Sequence, residues 1–196
     1  MYYIIIGLVL VAVLTIYIKK RNYLENKRKK QELLRNNFHK LFPEVDDKFS
    51  NLLNTIGKEE SLQFYRKEAS KVFNELLRVF VNIIEANKRL DNMDKLRKNL
   101  LPTLNNATTN RAKEGVEKSK ELINRINIES NELKKYIDNA KEEIKATGLD
   151  FVHVATEIEL SKASGQLANL AKLSTRSQSL SYIASNMPNT GNLLAQ

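Results

Sequence analysis

The sequence predicts an all-α protein, in which a single N-terminal transmembrane helix continues into a basic stalk helix and is followed by a helical bundle with a coiled-coil hairpin. Three observations predict this class. The chain of 196 residues has only six Gly and three Pro, too few turn residues for a many-stranded sheet. Apolar residues recur at spacings of three and four along two long segments, as they do on one face of an α-helix. The first 18 residues form an uncharged apolar run.

Residues 1–18 are predicted to anchor the protein in a membrane. As a helix they extend about 27 Å, close to the roughly 30 Å of a hydrocarbon core. Tyr2, Tyr3 and Tyr17 stand at the two ends of the run, where aromatic rings favour the headgroup layer. A cleaved signal peptide carries its positive charge before the apolar run, whereas here the charge follows it. We therefore expect a retained span, and a buried core helix is the alternative interpretation.

A basic cluster follows the apolar run directly. Residues 19–35 hold eight Lys or Arg and two Glu, which is a net +6 of the chain's +9. Basic residues beside a span favour the cytoplasmic side. We therefore expect a single-pass membrane protein with its N-terminus outside and its C-terminal domain in the cytoplasm, and an inverted, envelope- or phage-type coiled-coil protein is the alternative. The basic cluster consists of Lys19, Lys20, Arg21, Lys27, Arg28, Lys29, Lys30 and Arg35.

The charge of the basic cluster suggests two kinds of ligand. Anionic lipid attracts basic residues near a membrane surface. Nucleic acid is the weaker expectation, because the cluster contains one aromatic residue, Tyr23, for base stacking and no recognisable binding motif.

The rest of the chain is predicted to fold as one helical bundle. The stalk covers residues 19–42, the bundle covers 43–187, and a flexible tail covers 188–196. Pro43 can open a short helix that Gly57 caps at its C-terminus. Two longer helices with coiled-coil character are predicted over 58–92 and 111–147, and Gly148 is interpreted as the stop of the second.

A narrow apolar seam in the second long helix is the candidate interaction surface. Two interpretations stay open: an antiparallel hairpin with the 58–92 helix, or a parallel dimer between two copies. The seam consists of Val116, Ile123, Ile126, Leu133, Ile137 and Ile144.

The sequence offers little for catalysis or metal binding. It has no cysteine and two histidines. Asp150 and His153 have the three-residue spacing of a ligand pair, but di-metal bundles use two such pairs and further Glu residues. There is no Gly-rich phosphate loop and no nucleophile elbow. We predict no catalytic, cofactor-binding or metal-binding residue, and we do not expect an enzyme.

Residues 49–58, FSNLLNTIGK, resemble the segment that follows the stalk in LemA-type membrane proteins. The overall layout is also similar to that of the septation-ring regulators of Gram-positive bacteria. The Ala-Trp and Arg-Arg signatures of LemA proteins have no counterpart in this chain, which contains no Trp. We therefore assign no family from the sequence.

Together these patterns predict a membrane-anchored scaffold that presents its bundle or coiled coil to a protein partner or to a second copy. The alternative is a membrane-surface module that binds lipid or nucleic acid through the basic cluster.

Overall fold

The computed structural model contains helices and no strands in the residues that it describes. These are the backbone of residues 2–105, 110–164 and 170–189, with the side chains of 17–102, 104, 113–164 and 170–189. Five α-helices follow one another: α1 (Tyr2–Leu41), α2 (Pro43–Ile56), α3 (Gln63–Leu100), α4 (Asn110–Ser164) and α5 (Ala171–Ser185). The predicted all-α class is confirmed. The chain divides into two units, Met1–Pro43 and Glu44–Gln196.

The first unit is the long helix α1. It continues without a break until the residue before Phe42, where Pro43 disfavours a helical backbone. The N–H of Phe42 still donates to the carbonyl of Phe38 at 2.8 Å, and the two rings stack with their centroids 5.4 Å apart.

The predicted single-pass membrane localisation, with its N-terminus outside and its C-terminal domain in the cytoplasm, is wrong. In the part of the chain that the structure describes, no helix is long and apolar enough to cross a membrane. The described side chains of α1 begin at Tyr17, and the helix then carries the whole basic cluster, so that stretch is far too polar for a hydrocarbon core. The side chains of residues 1–16, which make up most of the apolar run, lie outside the described part of the chain.

In the second unit, α2 is an amphipathic helix that ends as predicted. Gly57 adopts a φ of 63°, in the left-handed region that glycine tolerates best, and its N–H donates to the carbonyl of Leu53 at 3.1 Å. Arg66 on α3 donates to the carbonyls of Gly57 at 3.0 Å and Leu53 at 3.3 Å. A cation therefore binds one carbonyl in the last turn of α2 and the carbonyl of the residue that caps it. The buried apolar residues of α2 are Val45, Phe49, Leu52 and Ile56.

The long helices α3 and α4 run antiparallel. Ser130 on α4 donates to the sulfur of Met93 at 3.4 Å, and Asn82 on α3 donates to Tyr136 at 3.2 Å. Residue numbers therefore decrease along α4 in the direction in which they increase along α3. The buried stripe of α3 consists of Tyr65, Ala69, Val72, Phe73, Leu76, Val79, Phe80, Ile83, Ala86 and Met93.

Both long helices extend further toward the C-terminus than the sequence predicted. The first was expected over 58–92, but α3 begins at Gln63, after a 3₁₀ turn, and runs to Leu100, where a second 3₁₀ turn containing Pro102 ends it. The second was expected to stop at Gly148, but α4 continues to Ser164. Gly148 lies inside this helix, and α2 approaches it closely: a Cβ there would lie 3.1 Å from Val45 Cγ2.

The core of the bundle lies where three helices meet. The ring of Phe49 on α2 stacks on Phe73 of α3 at 4.0 Å between centroids, and it lies 5.3 Å from the ring of Phe151 on α4. Such aromatic contacts add to the stabilisation from burial. The last helix, α5, packs against both α3 and α4. Of the predicted tail 188–196, residues 190–196 lie outside the described residues.

Candidate functional site

The basic cluster of α1 is exposed to solvent. All eight of its Lys and Arg side chains are exposed, and Lys29 forms an ion pair with Glu25 at 3.1 Å. An exposed ion pair of this kind contributes little to stability. The side chains of the cluster are therefore exposed to solvent along this part of α1.

The predicted interaction seam of α4 divides into two parts. Ile126, Leu133, Ile137 and Ile144 are buried within the chain. Val116 and Ile123, nearer the start of α4, are only half-buried. Most of the predicted seam therefore belongs to the core of this chain, and only its first part remains accessible.

A polar network attaches the first half of α5 to α4. Arg176 donates from Nε to Asp150 at 2.6 Å and from Nη1 to Glu143, and Ser179 donates to Glu143 at 3.1 Å. Burial lowers the pKa of Arg176, but the hydrogen bonds and charges of Asp150 and Glu143 outweigh burial and raise it. Arg176 therefore acts as a fixed cation between two carboxylates.

A second polar network attaches the end of α5. Asn82 of α3 donates to the carbonyl of Ala184 at 2.8 Å, and the hydroxyl of Tyr136 donates to the carbonyl of Ile183 at 3.3 Å. Burial raises the pKa of Tyr136, although the hydrogen bond from Asn82 lowers it. Beyond the helix, Arg89 of α3 donates to the carbonyl of Pro188 at 3.3 Å.

The residues of α4 that hold α5 are spaced by seven. Seven residues make almost two helical turns, so Tyr136, Glu143 and Asp150 lie on one side of α4. The same spacing continues backwards to Glu129 and Leu122. Sequence reasoning missed this stripe because it mixes acidic, aromatic and apolar residues, and its only signal is the spacing itself.

Beyond the end of α5, the seven-residue spacing continues from Arg89 to Leu96 on α3 and from Tyr136 back to Glu129, Leu122 and Gly115 on α4. Leu96 and Leu122 are half-buried, and a Cβ on Gly115 would meet nothing within 4 Å. The Oε2 atom of Glu129 is buried and has no hydrogen-bond partner among the described residues.

The Asp150 and His153 pair does not act as a unit. Asp150 pairs with Arg176, while Nε2 of His153 lies 2.8 Å from a carboxylate oxygen of Glu157. Within the described part of the chain, no group of three or more His, Cys, Asp or Glu residues could hold a metal ion.

Comparison with known proteins adds no functional information. No family model, no curated protein and no solved structure matches this chain.

Proposed function

We propose that this chain is a non-enzymatic interaction protein that presents a helical surface to a protein partner. The proposed surface is the distal arm, which we define as residues 90–100 of α3 and 113–129 of α4. One observation carries the proposal: α5 ends beside Asn82 and Tyr136, whereas α3 and α4 continue beyond it as a pair.

In the distal arm Met93 and Ile126 are buried, but most of the other large apolar side chains are only half-buried. At the base, α2 and α5 complete a core in which Phe80, Phe151 and Leu173 are fully buried. In the distal arm, the 3₁₀ turn Leu101–Asn105 packs against both α3 and α4. A helix pair joined by a short turn covers its apolar seam from fewer directions than a bundle does. The half-buried apolar residues of the arm are Leu90, Leu96, Leu100, Val116, Leu122 and Ile123.

The part of the bundle where α2 and α5 pack against α3 and α4 has the chemistry of an interaction protein rather than that of an enzyme. Its most concentrated set of charges, Arg176 with Glu143 and Asp150, is paired internally. A catalytic acid or base needs access to a reacting group, whereas these side chains hold α5 to α4.

The test compares the proteins that the full chain and its variants capture from cells of the source organism. Leu96→Asp and Leu122→Asp place a charge on the distal arm, and Lys141→Asp places one on the exposed side of α4 as a matched control. A partner that is captured by wild type and by the control, but not by the arm variants, supports the proposal. Identical capture by all four proteins, or none by any, contradicts it.

A second candidate function rests on the exposure of all eight residues of the basic cluster. These side chains suit the phosphate groups of a polyanion, carried by lipid headgroups or by a nucleic acid. Binding of the full chain to anionic vesicles and to duplex DNA, each at low and high salt, distinguishes the two sources. Replacing Lys27, Lys29 and Lys30 with Gln should weaken the binding, and salt-independent binding contradicts this candidate.

A further inference from the structure

The charged side chains of α1 are sorted to different sides of the helix. Each residue of an α-helix is rotated by about 100° from the one before it, so residues two apart point in nearly opposite directions. Along α1 this rotation places seven of the eight members of the basic cluster within a sector of about 200°. We call this sector the basic face, and it consists of Lys19, Lys20, Arg21, Lys27, Arg28, Lys30 and Arg35.

The acidic residues of this part of α1 point away from the basic face. Glu25 and Glu32 are seven residues apart and share a side, as residues at that spacing do. Lys29, the remaining member of the basic cluster, lies nearly opposite Lys27 and pairs with Glu25 at 3.1 Å. The charge of the far side is therefore largely balanced, and the positive charge of α1 is concentrated on the basic face.

Aromatic and aliphatic side chains lie among the basic ones on this face. The structure shows the two kinds side by side, because they line the same shallow hollows on the surface of α1. One hollow is lined by Tyr23, Asn26, Lys27, Lys30, Gln31 and Leu34, and the other by Tyr17, Lys20, Arg21, Leu24, Glu25 and Arg28. Glu25, at the edge of the second hollow, is the one acidic side chain among them.

We propose that α1 lies along an anionic lipid surface with its basic face toward the lipid. The Lys and Arg side chains reach the phosphates of the headgroups, while Tyr23 and Leu24 enter the boundary between headgroups and acyl chains. The helix meets the surface from the side, and residues 17–35 do not cross it. This inference rests on the second candidate function, and it specifies which of the two ligands binds and through which side of α1.

A lipid surface fits this face better than a nucleic acid does, because the face is partly apolar. The side chain of Leu24 is 48% exposed and that of Tyr23 is 67% exposed. The acyl boundary of a lipid surface removes such apolar area from water, whereas a phosphate backbone offers it no apolar contact. A flat surface also meets only one side of a helix, and it leaves Glu25 and Glu32 in solvent.

A second copy of the chain is disfavoured as the occupant of the basic face. Two copies that met through this face would place Lys and Arg against Lys and Arg, and like charges repel. The same repulsion is absent when the other surface carries phosphates.

The first experiment measures the affinity of the full chain for two kinds of vesicle at low salt. One kind is phosphatidylcholine alone, and the other contains added phosphatidylglycerol. Residues 1–16 are apolar and identical in every variant, so the ratio of the two affinities isolates the effect of lipid charge. Lys27→Gln removes a charge from the basic face, and Lys29→Gln removes the same charge from the opposite side as a matched control.

We expect Lys27→Gln to lower the affinity for anionic vesicles about fivefold, as for one basic residue near a lipid surface. Lys29→Gln should change it less than about twofold, because that side chain is held away from the lipid. Neither variant should change binding to phosphatidylcholine alone.

The second experiment reports which side of α1 enters the lipid. The chain contains no cysteine, so a single one can carry an environment-sensitive fluorophore. Leu24→Cys lies on the basic face, and Leu33→Cys lies nine residues later, on the opposite side, where the leucine is 62% exposed. On addition of anionic vesicles, the emission should shift to shorter wavelength and rise for the label at position 24 and stay unchanged at position 33.

The outcomes separate this inference from the function on which it rests. Equal weakening by Lys27→Gln and Lys29→Gln, or equal shifts at positions 24 and 33, overturns the inference and leaves salt-sensitive polyanion binding in place. Salt-sensitive binding to duplex DNA without a preference for anionic vesicles has the same meaning, because the ligand is then a nucleic acid. Absence of binding to both anionic vesicles and DNA overturns the candidate function as well.

Discussion

A Cβ atom on Gly148 of α4 would lie 3.1 Å from Cγ2 of Val45 on α2 and 3.6 Å from its Cα. Val45 is buried and β-branched, so it has little freedom to move away. The glycine therefore allows α2 to lie directly on the backbone of α4, beside the Phe49, Phe73 and Phe151 cluster.

Gly148→Ala tests this close approach. Replacing a helical glycine with alanine normally adds about 1 kcal/mol to the free energy of unfolding. Gly115→Ala is the matched control, since no atom lies within 4 Å of its Cβ position, and we expect it to stabilise. Gly148→Ala should raise the free energy of unfolding by less than Gly115→Ala does. Gly148→Leu should lower it by about 1 to 3 kcal/mol through overpacking. Denaturant titration measures all three, and equal gains for the two alanine variants would contradict the packing at Gly148.

Ile137→Asp tests whether the α4 seam belongs to the core of one chain. Ile137 is buried in the bundle, so an aspartate there should lower the free energy of unfolding by about 4 kcal/mol. Lys134→Asp changes an exposed residue one turn earlier and is the control. Circular dichroism and sedimentation are measured together. A wild-type dimer that Ile137→Asp converts into a fully helical monomer would indicate an intermolecular seam instead.

Arg176→Gln tests the attachment of α5. The variant leaves Glu143 and Asp150, both largely shielded from solvent, without their cation. We expect it to lower the free energy of unfolding by about 1 to 3 kcal/mol, less than for a fully buried pair because solvent screens part of the charge. Lys145→Gln removes an exposed ion pair with Glu142 and should leave the thermal melt unchanged. Similar melts for both variants would mean that α5 is held without Arg176.

Tyr136→Phe tests the second attachment and its pH dependence. Burial raises the pKa of Tyr136 in the folded chain, so its phenol stays protonated where the unfolded chain begins to ionise. This contribution is complete below the unfolded pKa of about 10 and is lost as the pH rises through the folded pKa. The stability of wild type should therefore fall more steeply than that of Tyr136→Phe between about pH 9 and pH 11.

Tyr182→Phe removes an exposed phenol hydroxyl and is the control for the stability at neutral pH, which it should leave unchanged. At neutral pH, Tyr136→Phe should lower the free energy of unfolding by about 1 kcal/mol, through loss of the hydrogen bond to Ile183. Parallel curves for wild type and Tyr136→Phe would contradict the assigned cause of the alkaline loss.

The candidate site was only partly predictable. The basic cluster and the apolar seam follow from residue type and spacing, and both were named from the sequence. The stripe of α4 that holds α5, with Tyr136, Glu143 and Asp150, was not, because it mixes aromatic and acidic residues and has no apolar periodicity.

The sequence by itself determined the class of the fold and several helix ends. Spacings of three and four mark one apolar side of a helix, Pro43 cannot continue a helix from Phe42, and Gly57 can take the positive φ of a C-terminal cap. These are local effects of a residue on its own backbone, so they can be predicted from the sequence without knowing the tertiary neighbours of the residue.

Only the tertiary structure decided what each apolar side packs against. Gly148 has the same local properties as Gly57, yet it lies inside α4, where α2 occupies the space that a side chain would need. Val116 and Ile137 belong to one seam, yet only Ile137 is buried. A spacing pattern gives the direction of a side chain, whereas burial depends on a neighbouring helix that lies far away in the sequence.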